Sequence, residues 1–210
     1  MVAIKFCGLT REEDVRTAAA LGAAYAGVIF AGGPRNRTVE EAAALFAHAP
    51  PMRRVGVVRA GDAASARSHA AHASLDVIQL HADPSESEVA LARESGAEVW
   101  AVVRIAGGVL HPEARTLFQV ADAVVLDTRA ESGLGGTGRT FDWRGVAAEL
   151  RSLPRRARLV VAGGLDPTNV AEAVRVLAPD IVDVSSGVES APGVKDPDLM
   201  RRFVEAARSA

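Results

Sequence analysis

The chain has 210 residues, 49% of them hydrophobic and 24% charged, which is enough apolar material for a sizeable core and too little charge bias for disorder. Its 24 Lys and Arg against 26 Asp and Glu leave a formal net charge of -2. No global basic field therefore draws nucleic acid or anionic lipid, and any phosphate must be held by a local site.

A single cysteine, Cys7, excludes an intramolecular disulfide and a multi-cysteine zinc site. No Pro, Gly or Ser-rich stretch divides the sequence, so one domain over residues 1–210 is expected. The first apolar run contains Lys5 and offers neither a signal-peptide core nor a spanning segment, which points to the cytoplasm and to no membrane partner.

Taken in chain order, residues 2–6 form a short apolar run of strand character, followed by residues 12–21 with helical spacing. Strand-like residues 25–30 precede a helical stretch at 39–47, and further strands are expected at 54–58 and 76–80. A helix at 86–95, a strand at 98–103 and a strand at 121–126 come next. Helix 141–153, strand 158–161, helix 168–177, strand 180–184 and helix 198–207 complete the chain. Thr10 with Glu13, and Ser85 with Glu88, have the S/T-x-x-E spacing of a capping box.

The unit is a strand then a helix, about eight times over, and the strands alternate poorly because both faces are buried. Such a chain forms either a closed (β/α)8 barrel or an open doubly wound sheet. The even count of eight, and the lack of a G-x-G-x-x-G after the first strand, favour the TIM barrel.

Barrel active sites lie at the C-terminal ends of the strands. The residues there are Cys7 and Gly8, the loop 31–38, Arg59, His81, Arg104, Asp127, Gly163 with Gly164, and Ser185, Ser186 with Gly187. The two glycine turns, after strands seven and eight, let main-chain amides approach a phosphate without interference from a Cβ; either could also be a tight connecting turn. Cys7 reads as a buried hydrophobe or as a thiol aimed at the mouth beside a helix start near Thr10 that can favour a thiolate. Asp127 reads as a polar cap or as an acid. Strands one and six are three steps apart one way round the ring and five the other, so Cys7 and Asp127 should face each other across a small ligand, as an acid and a base would. His81 could contact the ligand or cap its strand, and Asp183 could line the site or be a buried partner. His48, His69, His72 and His111 show no metal-ligand spacing and are expected at the surface. The glycine-bearing loop 128–140 has the character of a lid.

The segments Lys5-Phe-Cys-Gly-Leu-Thr10, Pro34-Arg35-Asn36, Gln79-Leu-His81, Leu126-Asp127-Thr128, Gly135 to Trp143, Ala162-Gly-Gly-Leu165 and Asp183-Val-Ser-Ser-Gly-Val-Glu189 through Pro192-Gly193 and Lys195-Asp196 resemble, in order and over nearly the whole chain, the phosphoribosylanthranilate isomerase family. The resemblance implies an Amadori rearrangement of a phosphorylated aminoaldose without metal or organic cofactor, in tryptophan biosynthesis. It implies Cys7 as general base, Asp127 as general acid, Arg35 facing the anthranilate carboxylate, and a lid at Gly136, Thr137 and Gly138. The loop 31–37 is one residue shorter than usual, which leaves Arg35 and Arg37 both open for the carboxylate. Ala82 stands where glycine usually follows the histidine, and Arg139 where lysine is frequent.

A histidine-pathway or bifunctional isomerase shares the reaction type, but those relatives resemble each other in an aspartate at the position of Cys7. A silent phosphosugar-binding barrel would be free to lose Cys7 or Asp127. Assembly as a monomer or a homodimer is compatible with the sequence.

Overall fold

The computed structural model describes residues 1–106, 108–128 and 140–210. Eight strands close into a barrel in sequence order: β1 (Ala3–Phe6), β2 (Tyr25–Ile29), β3 (Arg53–Arg59), β4 (Val77–His81), β5 (Glu98–Ile105), β6 (Ala123–Thr128), β7 (Arg158–Val161) and β8 (Ile181–Val184). Every neighbouring pair is parallel, and β8 returns to β1 with Lys5 opposite Asp183. The expected closed eight-stranded barrel is the fold of the chain.

Helices α1 (Glu12–Ala20), α2 (Val39–Phe46), α3 (Ala66–Ala73), α4 (Glu86–Arg93), α5 (Pro112–Val120), α6 (Trp143–Ser152), α7 (Val170–Leu177) and α8 (Pro197–Arg208) alternate with the strands. A short hairpin, β9 (Glu189–Ala191) with β10 (Val194–Lys195), lies between β8 and α8. The sequence pattern singled out neither α3 nor α5. In α3 only alanines are buried, so its apolar stripe is faint, whereas α5 opens on Pro112 at a first-turn position where the missing N–H costs nothing.

Two of the caps differ in kind. Ser85 forms the expected capping box with Glu88, and Thr38 forms an unanticipated one with Glu41. Thr10 does not cap α1. The N-cap position falls one residue later, at Arg11, and the Thr10 hydroxyl donates instead to the Gly193 carbonyl of the β9–β10 turn, a tertiary partner that local spacing cannot reveal. His69 is likewise not a surface residue: it is half-buried against the Phe30 ring, 4.7 Å between centroids.

Strand alternation divides the apolar residues into two cores. Outward-facing strand residues and the helices enclose the larger one, which includes Phe6, Val28, Ile78, Leu126 and Phe203. The smaller one fills the barrel with Tyr25, Val55, Val77, Trp100, Val102, Val125, Val160 and Ile181. At the N-terminal end of the barrel Glu98 accepts from Arg53 at 2.6 Å and from Arg158, and Arg158 donates to the Tyr25 hydroxyl at 2.8 Å. This network closes the end away from the mouth, where a barrel's polar residues serve stability.

Candidate active site

The inward row of each strand, followed to its C-terminal end, gives the site its residues. Register sets Lys5 beside Asp183, Arg59 beside His81 and Arg104 beside Asp127. Cys7 and Ser185 continue the rows of Lys5 and Asp183 by two residues. The sequence-derived candidates Cys7, His81, Asp127, Asp183 and Ser185 therefore share the barrel's inner parity at one end. Gly136, Thr137 and Gly138 lie outside the described residues.

Asp127 is half-buried at the mouth, and burial pushes its carboxyl up to about 6, an effect that nearby Asp183 reinforces and a hydrogen bond from the Thr128 amide (2.7 Å) opposes. The residue behind it is Gly163, at φ +76, where an added Cβ would fall 2.6 Å from Asp127 Oδ1 and 2.4 Å from the Thr128 nitrogen. Only glycine fits, in conformation and in space. Gly164 also has positive φ, and its carbonyl accepts from the Asn169 side chain at 2.8 Å. The turn after β8 touches this one directly: a Cβ on Gly187 would lie 1.9 Å from the Leu165 carbonyl oxygen. The two candidate phosphate turns thus form one surface beside Asp127, and close packing accounts for Gly187.

Cys7 is buried just past the end of β1, three strands round the barrel from β6. Burial pushes its thiol up, Lys5 and Lys195 pull it down, and Asp183 pushes it up again, with a net rise. The sequence led to the opposite expectation, a thiolate favoured by the start of α1. That helix start carries Glu12, Glu13 and Asp14 in its first turn and has no side-chain cap, so its positive end is already answered by acids. The cation beside the thiol is Lys5, fully buried, its Nζ 2.6 Å from Asp183 Oδ2. Asp183 Oδ1 has no hydrogen-bond partner among the described residues.

Arg35 crosses the end of β1, its Cδ 2.7 Å from where a Gly8 Cβ would be. Its guanidinium donates twice to Glu189, at 2.8 and 2.6 Å. The same carboxylate accepts from Lys195 Nζ at 2.7 Å, and Lys195 also donates to the Ser185 carbonyl at 3.1 Å. Arg37 instead donates to the Asn36 carbonyl. Of the two arginines left open by the short loop, Arg35 is the one seated over the end of β1, next to Cys7.

His81 is held below its usual value by burial and by Arg104, hence as a neutral ring at pH 7. Arg104 is tied to Asp83 at 2.6 Å and Arg59 to the Ala31 carbonyl at 3.0 Å, so these two arginines brace loops. Among the described residues no cluster of three His, Cys, Asp or Glu could hold a metal ion, and no helix is long and apolar enough to cross a membrane.

Sequence reading gave no site role to Lys5, Glu189 or Lys195, although all three fall in the segments of family resemblance. Lys5 had a signal, a charge two residues before Cys7 in an apolar strand. Glu189 and Lys195 sit on strands of three and two residues, too short for any periodicity to show.

The chain as a whole is similar to known proteins. A family model described as N-(5'phosphoribosyl)anthranilate (PRA) isomerase matches residues 4–206. The N-(5'-phosphoribosyl)anthranilate isomerase of Ruegeria sp. (strain TM1040) is 41% identical, covering 99% of this chain and 98% of that protein. The crystal structure of phosphoribosyl anthranilate isomerase from Thermotoga maritima superposes with a TM-score of 0.88 at 31% identity over the full length of both chains. A phosphoribosyl anthranilate isomerase solved in complex with reduced 1-(o-carboxyphenylamino)-1-deoxyribulose 5-phosphate superposes with a TM-score of 0.86 at 29% identity, again over both full lengths.

Proposed function

The chain belongs to the N-(5'-phosphoribosyl)anthranilate isomerase family, and from that membership we infer that it carries out the Amadori rearrangement of N-(5'-phosphoribosyl)anthranilate to 1-(2-carboxyphenylamino)-1-deoxyribulose 5-phosphate, a step of tryptophan biosynthesis. The observation that carries this reading is the pairing of two titratable groups at one mouth: Asp127, raised by burial against the phosphate turns, and Cys7, just past the end of β1 beneath Arg35.

In the first step Asp127 gives its proton to the furanose ring oxygen. The bond from that oxygen to C1 breaks, and the nitrogen lone pair closes a C1–N iminium. The Cys7 thiolate then takes the proton from C2. The electrons of that C–H bond form C1–C2 as a double bond, and the iminium electrons return to nitrogen. The resulting enolamine tautomerises to the ketone. The turns Gly163–Gly164 and Ser185–Ser186 hold the phosphate by main-chain amides, Arg35 receives the anthranilate carboxylate, and His81 and Asp183 line the sugar between them.

The protonation states give the mechanism its shape. With Asp127 at about 6 and Cys7 above its ordinary 9.0, the dominant form near neutrality has the carboxylate ionised and the thiol protonated. The productive form carries the same single proton on the other group. Its population is a small minority, smaller the further the thiol stands above the carboxyl, and it is constant between the two values. The kcat/KM profile should therefore be a plateau that rises at about pH 6 and falls as the thiol ionises on the alkaline side.

Assaying the purified protein for this rearrangement, and for the histidine-pathway one, tests the assignment. Turnover of the anthranilate substrate alone is expected. Turnover of neither substrate would leave a phosphosugar-binding barrel.

A further inference from the structure

The acid and base roles leave one buried charge beside the reacting groups unused. Lys5 is fully buried two positions before Cys7 on the inward row of β1, its Nζ 2.6 Å from Asp183 Oδ2 across the β1–β8 seam. On the other flank, β2 presents Gly27. A Cβ there would come within 3.2 Å of both Cys7 Sγ and Lys5 Cε, so the lysine stem and the thiol share one space that a larger residue would divide. A buried lysine and carboxylate cost several kcal/mol each to desolvate, and a well-packed apolar pair often serves stability as well or better. Their place directly below the thiol is therefore informative.

We propose that Lys5 is a positioning residue for Cys7, its ammonium shared between Asp183 and the sulfur so that the thiolate becomes attainable within a buried mouth. The proposal rests on the reading of Cys7 as the base. Lys5 keeps its own protons throughout; only the sulfur takes one from C2. The charged groups that bear on Cys7 are Lys5 from β1, Asp183 from β8, Lys195 from β10 and Arg35 from the loop after β2. Lys195 and Arg35 are both already bound to Glu189, and Asp183 opposes the thiolate. Lys5 is the strongest influence against the effect of burial.

Because the chain has one cysteine, protein labelled with ¹³C at the cysteine Cβ gives one resonance whose shift against pH reports the thiol alone. Lys5→Met should raise the midpoint by at least one pH unit, and Asp183→Asn should lower it, because it frees the ammonium for the sulfur. A residue with a merely structural role would not move the two midpoints in opposite directions. If Lys5→Met leaves Asp183 unpaired and the variant fails to fold, Lys5→Met combined with Asp183→Asn removes both charges and should still titrate above the wild type. In whichever of these Lys5 variants folds, the kcat/KM plateau should fall tenfold for each unit the midpoint rises. A midpoint that stays within 0.3 units when Lys5 is removed, while Cys7→Ala is inactive, overturns the role of Lys5 and leaves the base in place. A midpoint that rises while kcat/KM does not follow overturns the assignment of Cys7 as base, and with it the proposal.

Discussion

Replacing Asp127 by asparagine should remove activity and make the protein more stable. The carboxyl moves from 3.8 to about 6 in the fold, chiefly through burial. A group whose folded value is raised adds stability that is complete below the unfolded value and is lost as pH rises through the folded one. At pH 8 the ionised, buried Asp127 thus costs folding about 3 kcal/mol at 1.36 kcal/mol per unit. At pH 5, where the folded form is mostly protonated and the unfolded form mostly ionised, the cost is about half of that. Asparagine has nearly the same shape, and its oxygen can still accept from the Thr128 amide, so Asp127→Asn should recover these amounts. Urea unfolding of wild type and variant at pH 8 and pH 5 measures the difference. A variant that is no more stable than wild type at pH 8, or whose advantage is larger at pH 5, would refute burial as the cause of the raised acid. A variant with near-normal kcat would refute its role as the acid.

Arg35→Ala should raise KM roughly ten- to a hundredfold, the loss of a charge-assisted hydrogen bond of ~1.5 to 3 kcal/mol, while Arg37→Ala should change it little; the reverse pattern in steady-state kinetics would exchange their roles. Gly164→Val should weaken binding of a phosphorylated product analogue, measured by calorimetry, with the barrel still folded by circular dichroism, since Gly164 has φ +69, a conformation a β-branched residue resists; unchanged affinity would remove it from the phosphate site. Ala82 holds φ +77, a conformation that costs an alanine ~1 to 2 kcal/mol against ~0.5 to 1 for the extra entropy of glycine. Ala82→Gly should therefore raise stability by up to about 1.5 kcal/mol in urea unfolding, and a clear loss of stability would contradict this.

Much of this molecule is legible in its sequence because a barrel converts position along a strand into position in space. Once residues 121–126 read as a strand, Asp127 must stand at its mouth, and counting strands sets Cys7 across from it. Strand alternation then gives Asp183 and Ser185 the same inward parity. What escaped had tertiary causes. The Thr10 hydroxyl matched a capping spacing but is used by the Gly193 carbonyl, and the bracket of Glu189 between Arg35 and Lys195 joins residues 154 and 6 positions from it in the chain. The protonation of Cys7 responds to Lys5, a residue that in sequence argued against a signal peptide and opened a segment of family resemblance but carried no role in the site. Its meaning appears when β8 closes on β1 and Asp183 arrives beside it.

The central claim is that Cys7 and Asp127 act as one acid–base pair on a phosphorylated aminoaldose. The most direct measurement is single-turnover kinetics of N-(5'-phosphoribosyl)anthranilate with the wild type and Cys7→Ala, together with the affinity of each for the reduced product analogue. The account predicts a rate lower by ~10² to 10⁴-fold in Cys7→Ala with affinity essentially kept, since the phosphate turns and Arg35 are untouched. A near-normal rate in Cys7→Ala would contradict it and would turn the search for the base to Asp183.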